Sequence, residues 1–314
     1  MPEVSVVIAT RNRWHTLRDS ALRSALSQRD VELEVIVVDD GSTDETPTRL
    51  RELDDSRVRV ISLEVSRGVA AARNTGVAAA RGDWIAFLDD DDLWSPVKLR
   101  TQLDCADATG ASLVYARVAE IDDDGRLLQL SGVEATTRDV ILRWNTIPAG
   151  ASNVIARAEH VRGVGGFDER LTYVADWDLW IGLTGLGGIA LVPDILVAYV
   201  RHGSGMVFAG RRAVDEMRYF VDKRRGDGLR VDPAVFLWWI AADNRLNGRR
   251  RDAAATYFRT ALAYRKPRRL VRAVAALVAP RRRSSLKERA AAAPSLATLT
   301  SEAPWLRSVL EART

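Results

Sequence analysis

Four consecutive carboxylates, Asp89, Asp90, Asp91 and Asp92, follow directly on the apolar run from Trp84 to Leu88. Adjacent anions repel one another and gain from a nearby cation. Oxygen-only ligands select hard ions such as Mg²⁺ or Mn²⁺, which complete their shells with phosphate oxygens. On a diphosphate, such an ion neutralises the charge of a leaving group. The plainer alternative is a solvated acidic loop capping a helix that begins near Pro96. A second acidic end, Asp39-Asp40-Gly41-Ser42-Thr43-Asp44, follows the apolar run from Val35 to Val38. Ligands of open α/β sheets bind beyond the carboxyl ends of the strands. Asp39 is therefore suited to accept hydrogen bonds from a base N–H or a ribose hydroxyl, with a helix cap, a role Asp44 would equally fill, as the alternative.

The elements that must position these carboxylates alternate in type. Strands are expected at 4–9, 34–38, 58–63 and 84–88, with helices at 14–28, 45–53 and 69–80 between them. That alternation is the pattern of a parallel sheet flanked by helices. Beyond Asp92 the order becomes mixed. A helix is expected at 96–108 and strands at 112–119 and 127–130, the latter two joined through Asp122-Asp123-Asp124-Gly125, a hairpin signal. Further elements are expected at 153–157, an amphipathic helix at 176–186, and two strands at 189–192 and 196–200. From residue 211 onward three helices are expected, at 234–246, 251–264 and 270–279. The stretch 253–262 is similar to the second helix of a tetratricopeptide unit, but it occurs once, which argues for a helical appendage and not a solenoid.

The ordered set of motifs resembles family 2 glycosyltransferases of the GT-A fold. It comprises Val6-Val7-Ile8-Ala9-Thr10-Arg11-Asn12-Arg13, Asp39-Asp40-Gly41-Ser42, Gly68 with Ala72-Arg73-Asn74 and Gly76, and then Asp89-Asp90-Asp91-Asp92. Ala9-Thr10-Arg11 stands where many members carry Pro-Thr and an aromatic. The resemblance covers residues 3–205. It implies a nucleotide-diphospho-sugar transferase fold with a mixed central sheet, here followed by a C-terminal α-helical extension. The divisions expected are a catalytic domain at 1–210, with a nucleotide-binding half at 1–100 and an acceptor half at 101–210, then helices at 211–280 and a basic, loosely ordered tail at 281–314.

Carried onto this sequence, the resemblance implies donor binding by Thr10, Asp39 and Arg73, with Arg11, Asp40, Asp89 and Asp90 in the same set. Asp91 is the implied metal ligand, helped by Asp89. Downstream, Ala175-Asp176-Trp177-Asp178-Leu179-Trp180 is similar to the family's Glu-Asp-x-Asp-Leu-Trp segment, and Asp176 matches its catalytic base. A carboxylate there would take the proton of an acceptor hydroxyl as it attacks the sugar. The plain alternative makes Asp176 a helix N-cap and Asp178 a first-turn dipole partner. Tyr199-Val200-Arg201-His202-Gly203-Ser204 is similar to the family's Tyr-Arg-x-His-x-x-Ser stretch, which implies His202 at the metal or the diphosphate. The activity implied is inverting transfer from a UDP- or dTDP-sugar to a saccharide or lipid-linked acceptor, with Mn²⁺ or Mg²⁺ as cofactor, in polysaccharide synthesis. Its rivals are a nucleotidyltransferase, which normally has a Gly-rich loop where Thr10-Arg11-Asn12-Arg13-Trp14 has none, and a catalytically silent nucleotide-sugar-binding module.

Charge is divided unevenly. Residues 1–210 carry 22 basic and 32 acidic residues, whereas 211–314 carry 24 and 10. Such asymmetry points to different partners for the two parts. Arg268, Arg269 and Arg272 flank apolar positions at Leu270, Val271, Val274, Leu277 and Val278, with Arg281-Arg282-Arg283 beyond. Basic amphipathic helices lie on anionic membranes, and the alternative is a helix packed on the catalytic domain. No stacking platform or recognition-helix motif accompanies these arginines, which argues against nucleic acid. Trp238 and Trp239 are expected in the core or in a homodimer contact. The single cysteine, Cys105, and the lack of a leader pattern or a long apolar run fit a cytoplasmic protein, with peripheral contact at the inner membrane face as an option.

Overall fold

The computed structural model describes residues 1–132, 134–201, 210–246, 248–278 and 303–307. Its centre is one nine-stranded sheet. Strands β1 (Val4–Thr10), β2 (Leu33–Asp39), β3 (Val58–Ser62) and β4 (Trp84–Asp89) run parallel in the order β3-β2-β1-β4. Alternate side chains enter opposite faces. Val7, Ile36, Val38, Ile85 and Phe87 pack on one side, and Val4, Val6, Ile8, Val35, Val37 and Leu88 on the other. Both faces are covered, which is why these strands read as continuous apolar runs. The helix Val69–Ala79 lies close on the first face, where a Cβ on Gly76 would overlap Val7. Trp14–Leu26, which contains a π-helical turn at Arg18–Leu22, and Lys98–Thr109 cover the second.

Beyond β4 the sheet turns mixed. The two-residue β5 (Leu93–Trp94) precedes β6 (Ala111–Asp122), β7 (Leu127–Ser131), β8 (Ile155–Arg157) and β9 (Gly188–Arg201). The path continues β4-β8-β6-β9-β5, with β7 paired antiparallel to β6. The turn between β6 and β7 forms where Asp122-Gly125 predicts it, with Gly125 at φ 76° and Asp122 Oδ1 accepting from Asp124 N–H and Arg126 N–H. The two strands expected at 189–192 and 196–200 are one strand, β9. Its parallel pairing with β6 steps from Ala116↔Val192 to Arg117↔Ile195, so Pro193-Asp194 bulges out and the ladder continues.

Among the described residues four helices, not three, follow β9: Gly210–Arg224, Pro233–Leu246, Arg250–Ala263 and Arg268–Val278. The first inserts Ala213, Val214, Met217 and Phe220 into the same core as Trp177 and Trp180. The last packs through Ala273 and Ala276 on the Arg250–Ala263 helix, leaving Val271, Val274 and Leu277 exposed. Within the tail, Ala303 and Leu306 are buried against β9, and Trp305 Nε1 donates to Ile195 O at 2.9 Å. Among the described residues no helix is long and apolar enough to cross a membrane.

Candidate active site

The parallel register brings the acidic ends together: Thr10 lies beside Asp39, and Ala9 beside Asp89. They open into a cleft of about 1020 Å³. Of the predicted residues, Thr10, Arg11, Asp40, Arg73, Asp89, Asp90, Asp91 and Asp176 line it. Asp39 does not. It is buried, and its Oδ1 accepts from Ser42 N–H at 3.0 Å, closing the turn after β2. Asp40 is also committed to structure, accepting from Ser66 Oγ, Arg67 N–H and Gly68 N–H at 2.7 to 2.9 Å. That carboxylate organises the loop leading into the Val69–Ala79 helix. His202 lies outside the described residues.

The acidic run divides its work among four positions. Asp92 is buried and accepts from Val200 N–H at 2.9 Å, pinning the end of β9 to the loop after β4. Burial, then the neighbouring Asp91 and Asp89, holds its carboxyl well above the usual range. Asp90 accepts from Thr10 Oγ1 at 2.8 Å and pairs with Arg13 Nη1 at 2.8 Å. Burial pushes it up to about 7 against the pull of Arg13. Asp91 pairs with Arg13 Nη2 at 2.9 Å. The cation that four adjacent anions demand is thus partly supplied by the protein, since Arg13 joins Asp90 to Asp91. Sequence adjacency gave no sign of Arg13, which lies 78 residues from Asp91.

Arg73 performs the matching service on the other side. Its Nη2 bonds Asp89 Oδ1 and its Nη1 bonds Asp176 Oδ1 at 3.0 Å, while its guanidinium sits 5.0 Å from the Phe167 ring centroid. Burial disfavours the charge, but the two carboxylates outweigh it and raise the arginine pKa. Asp176 is displaced upward, first by burial and then by Asp89, with Arg73 opposing. It is not an N-cap, a position held by Val174, but the second residue of the helix Ala175–Leu183. That helix is not amphipathic either: Trp177, Leu179, Trp180, Ile181 and Leu183 are all buried. Asp178 is buried too, pairing with Lys223 Nζ at 2.6 Å and Arg224 Nε at 2.7 Å.

Three positioning residues were not foreseen. Glu216, on the helix Gly210–Arg224, accepts at Oε1 from the N–H groups of Thr172, Tyr173 and Val174 at 2.9, 2.7 and 3.3 Å, fixing the entry to the helix that carries Asp176. Asn74 bonds both N–H and C=O of Phe167 at 2.8 Å and so ties the Val69–Ala79 helix to the Gly165-Gly166 turn. Gly150, at φ +48°, abuts Asp176 so closely that a Cβ would overlap Oδ2. Each signal was present only as a residue type without a partner.

One part of the cleft is aromatic. Trp144, Tyr173, Trp177, Phe236 and Trp239 line it. Trp239 is therefore not a core residue: it borders the cleft and is 42% exposed. Trp238 packs instead with the Arg250–Ala263 and Arg268–Val278 helices, under the guanidinium of Arg272 at 5.2 Å.

A parallel sheet with acidic strand ends, a mixed extension, and a carboxylate facing those ends define a GT-A-fold transferase. The chain belongs to glycosyl transferase family 2, whose sequence profile matches residues 5–162, half of the chain. It is 37% identical over 221 residues to the succinoglycan biosynthesis protein ExoO of Rhizobium meliloti (strain 1021), covering 65% of this chain and 62% of that protein. It is 31% identical over 140 residues to WfgD of Escherichia coli, a UDP-Glc:alpha-D-GlcNAc-diphosphoundecaprenol beta-1,3-glucosyltransferase, covering 45% and 55% of the two chains. The matched segments thus span about three fifths of these relatives. The 1–349 fragment of S. aureus TarS, solved with UDP-GlcNAc, superposes with a TM-score of 0.60 at 20% identity, over 76% of this chain and 71% of that one.

Proposed function

We propose that this chain transfers a sugar from a nucleoside-diphosphate donor to an acceptor hydroxyl with inversion, in cytoplasmic assembly of a polysaccharide or its lipid-linked precursor. The observation that carries this is the single guanidinium of Arg73 bridging Asp89 and Asp176, which couples the acidic strand end to a carboxylate suited to proton transfer within one cleft. A UDP- or dTDP-sugar is the favoured donor, in keeping with the UDP-sugars in the descriptions of TarS and WfgD. In this reading residues 1–210 form the catalytic unit, and the helices of 211–280 support it through Glu216.

Asp176 accepts the acceptor's hydroxyl proton as the oxygen forms its bond to the anomeric carbon. The bond from that carbon to the diphosphate oxygen breaks on the opposite face, and the nucleoside diphosphate departs with the electron pair. Burial raises the carboxyl's pKa and so its strength as a base, with Arg73 opposing that rise. Thr10, Arg11 and Arg73 line the donor side. Asp89 and Asp91 face the same space, and among the described residues no third His, Cys, Asp or Glu joins them to form a complete metal cage. Two carboxylates suit Mg²⁺ or Mn²⁺ that shares its shell with phosphate oxygens. When bound, the ion would neutralise charge on the leaving diphosphate.

Calorimetry and nucleoside-diphosphate release, run across UDP-, dTDP- and GDP-sugars with and without Mn²⁺, test this directly. Asp91→Ala is expected to lose metal-dependent donor binding. Asp176→Asn is expected to keep donor binding and lose transfer. Normal metal-dependent donor binding by the Asp91 variant overturns the ligand assignment, and full transfer by the Asp176 variant overturns the base. Donor binding by the wild type without acceptor-dependent release would identify a silent binding module.

Peripheral membrane contact is favoured by one observation. The helix Arg268–Val278 turns Val271, Val274 and Leu277 outward, at 72%, 62% and 50% exposure, beside basic residues. An exposed apolar face on an arginine-rich segment of the sequence suits an anionic bilayer, where a lipid-linked acceptor would reside.

A further inference from the structure

Most of the cleft is charged, but one corner is not. Trp144 and Trp239 meet edge to face, with centroids 6.4 Å apart and planes at 89°, and both rest on Phe236, which is buried. Trp177 lies beneath them, buried and anchored by Nε1 donating to Ile141 O at 2.6 Å. Trp177 directly follows Asp176 in the chain. The two upper indoles keep 36% and 42% of their surfaces open above the buried rings of Phe236 and Trp177. Exposed aromatic surface inside a cleft, rigidly backed and bordered by polar groups such as Asn145, is the composition of a ligand subsite.

We infer that this corner is the acceptor subsite and that it takes a pyranose ring, an inference that rests on the glycosyltransferase reading above. A pyranoside has one face made largely of C–H groups and a rim of hydroxyls. The C–H face stacks on one indole, the second indole bounds the ring at right angles, and the hydroxyl rim is left toward Asn145 and Asp176. Nucleobase stacking is the competing use of such rings, but ligands of open α/β sheets bind beyond the strand ends, here those of β1 and β2, whereas this corner is built from the 142–149 loop and the Pro233–Leu246 helix. The subsite is therefore completed by the helical extension, which supplies Trp239 from outside the segment matched by the family profile.

The test uses the full chain in the presence of UDP. Saturation-transfer NMR is recorded with methyl α- and β-pyranosides of glucose, galactose, N-acetylglucosamine and rhamnose, on wild type, Trp239→Ala, Trp239→Phe and Trp144→Ala. At least one pyranoside is expected to receive saturation at its ring C–H protons. Trp239→Ala and Trp144→Ala should each weaken it about tenfold, the scale of one aromatic contact, and Trp239→Phe should retain most of the effect. UDP binding by calorimetry should be unchanged in all three, which also certifies the fold. If no pyranoside is saturated by the wild type, or if both alanine variants bind as the wild type does, the inference is overturned. A wild type that binds neither UDP nor any UDP- or dTDP-sugar would instead strike the function proposed above, so the two failures are told apart.

Discussion

Gly150→Ala is the substitution whose outcome the geometry specifies most closely. Gly150 opens the short 3₁₀ turn Gly150–Asn153 at φ +48°, next to Ala149 at φ +56°. An alanine in this left-handed region costs about 1 kcal/mol, which the turn tolerates because Ser152 and Asn153 hold it. Ser152 Oγ accepts from Asp89 N–H, and Asn153 bonds Ala116 N–H, Ala116 O and Pro148 O. The larger effect is on Asp176. The new methyl overlaps Oδ2, and restoring ordinary contact requires the carboxylate to shift by roughly 1 Å. A displacement of that size in a reacting group lowers turnover by about 100-fold. Donor binding, which depends on the opposite end of the cleft, should change little. The assay is steady-state release of nucleoside diphosphate with saturating acceptor, beside donor calorimetry and a thermal melt. Wild-type turnover in a folded Gly150→Ala protein would refute the placement of Asp176 at the reacting hydroxyl. A fall in donor affinity equal to the fall in turnover would refute the separation of the two ends.

Glu216→Ala should destabilise the protein by about 3 kcal/mol, because three N–H groups before the Asp176 helix lose their acceptor; Glu216→Gln, which keeps one oxygen, should cost about 1 kcal/mol, and equal denaturant midpoints for the two would contradict this account. Lys98 is fully buried, donates to Gln102 Oε1 at 2.6 Å and stacks 4.0 Å from the Trp94 ring, and burial lowers its pKa well below the ordinary value. A depressed basic pKa means that the unfolded chain holds the proton more readily, so stability rises with pH from the folded pKa up to the unfolded one. Unfolding at pH 7, 8.5 and 10 should show that rise in the wild type and less of it in Lys98→Met; identical slopes would refute it. Replacing Val271 and Val274 together by Asp should abolish flotation with anionic phosphatidylglycerol vesicles while leaving nucleoside-diphosphate release from a soluble acceptor intact, and unchanged flotation would remove the membrane contact.

The parallel half of the sheet was legible because its physics is local. Strands buried on both faces must be apolar throughout, and their carboxyl ends must be polar, so β1, β2 and β4 and their acidic ends stand out in the sequence. The helix Gly210–Arg224 was not read, because eight of its fifteen residues are charged and its apolar stripe, Ala213, Val214, Met217 and Phe220, is outnumbered. β5 is two residues long and exists only because β9 passes beside it. At the site, residue types were readable but directions were not: Asp39 and Asp40 are neighbours, yet only Asp40 borders the cleft. Arg73 and Asp176 are separated by 103 positions, and the bond between them follows from tertiary packing that no local pattern encodes. The place of Trp239 in the cleft was out of reach for the same reason, since an apolar helix does not disclose which cavity its open face borders.

The cleft is made by two stretches of chain that meet at Arg73. One wall ends the parallel strands within the family-matched segment, and the other comes from later residues, Asp176, Tyr173 and Trp239 among them. On the proposed reading, in which the strand ends face the donor and the later wall the acceptor, substitutions at Trp239 are expected to alter acceptor preference without touching the strand ends, and grafting the 233–246 helix between relatives is expected to change the linkage made from the same donor. The guanidinium of Arg73 is bonded to both walls, so it is denied that freedom.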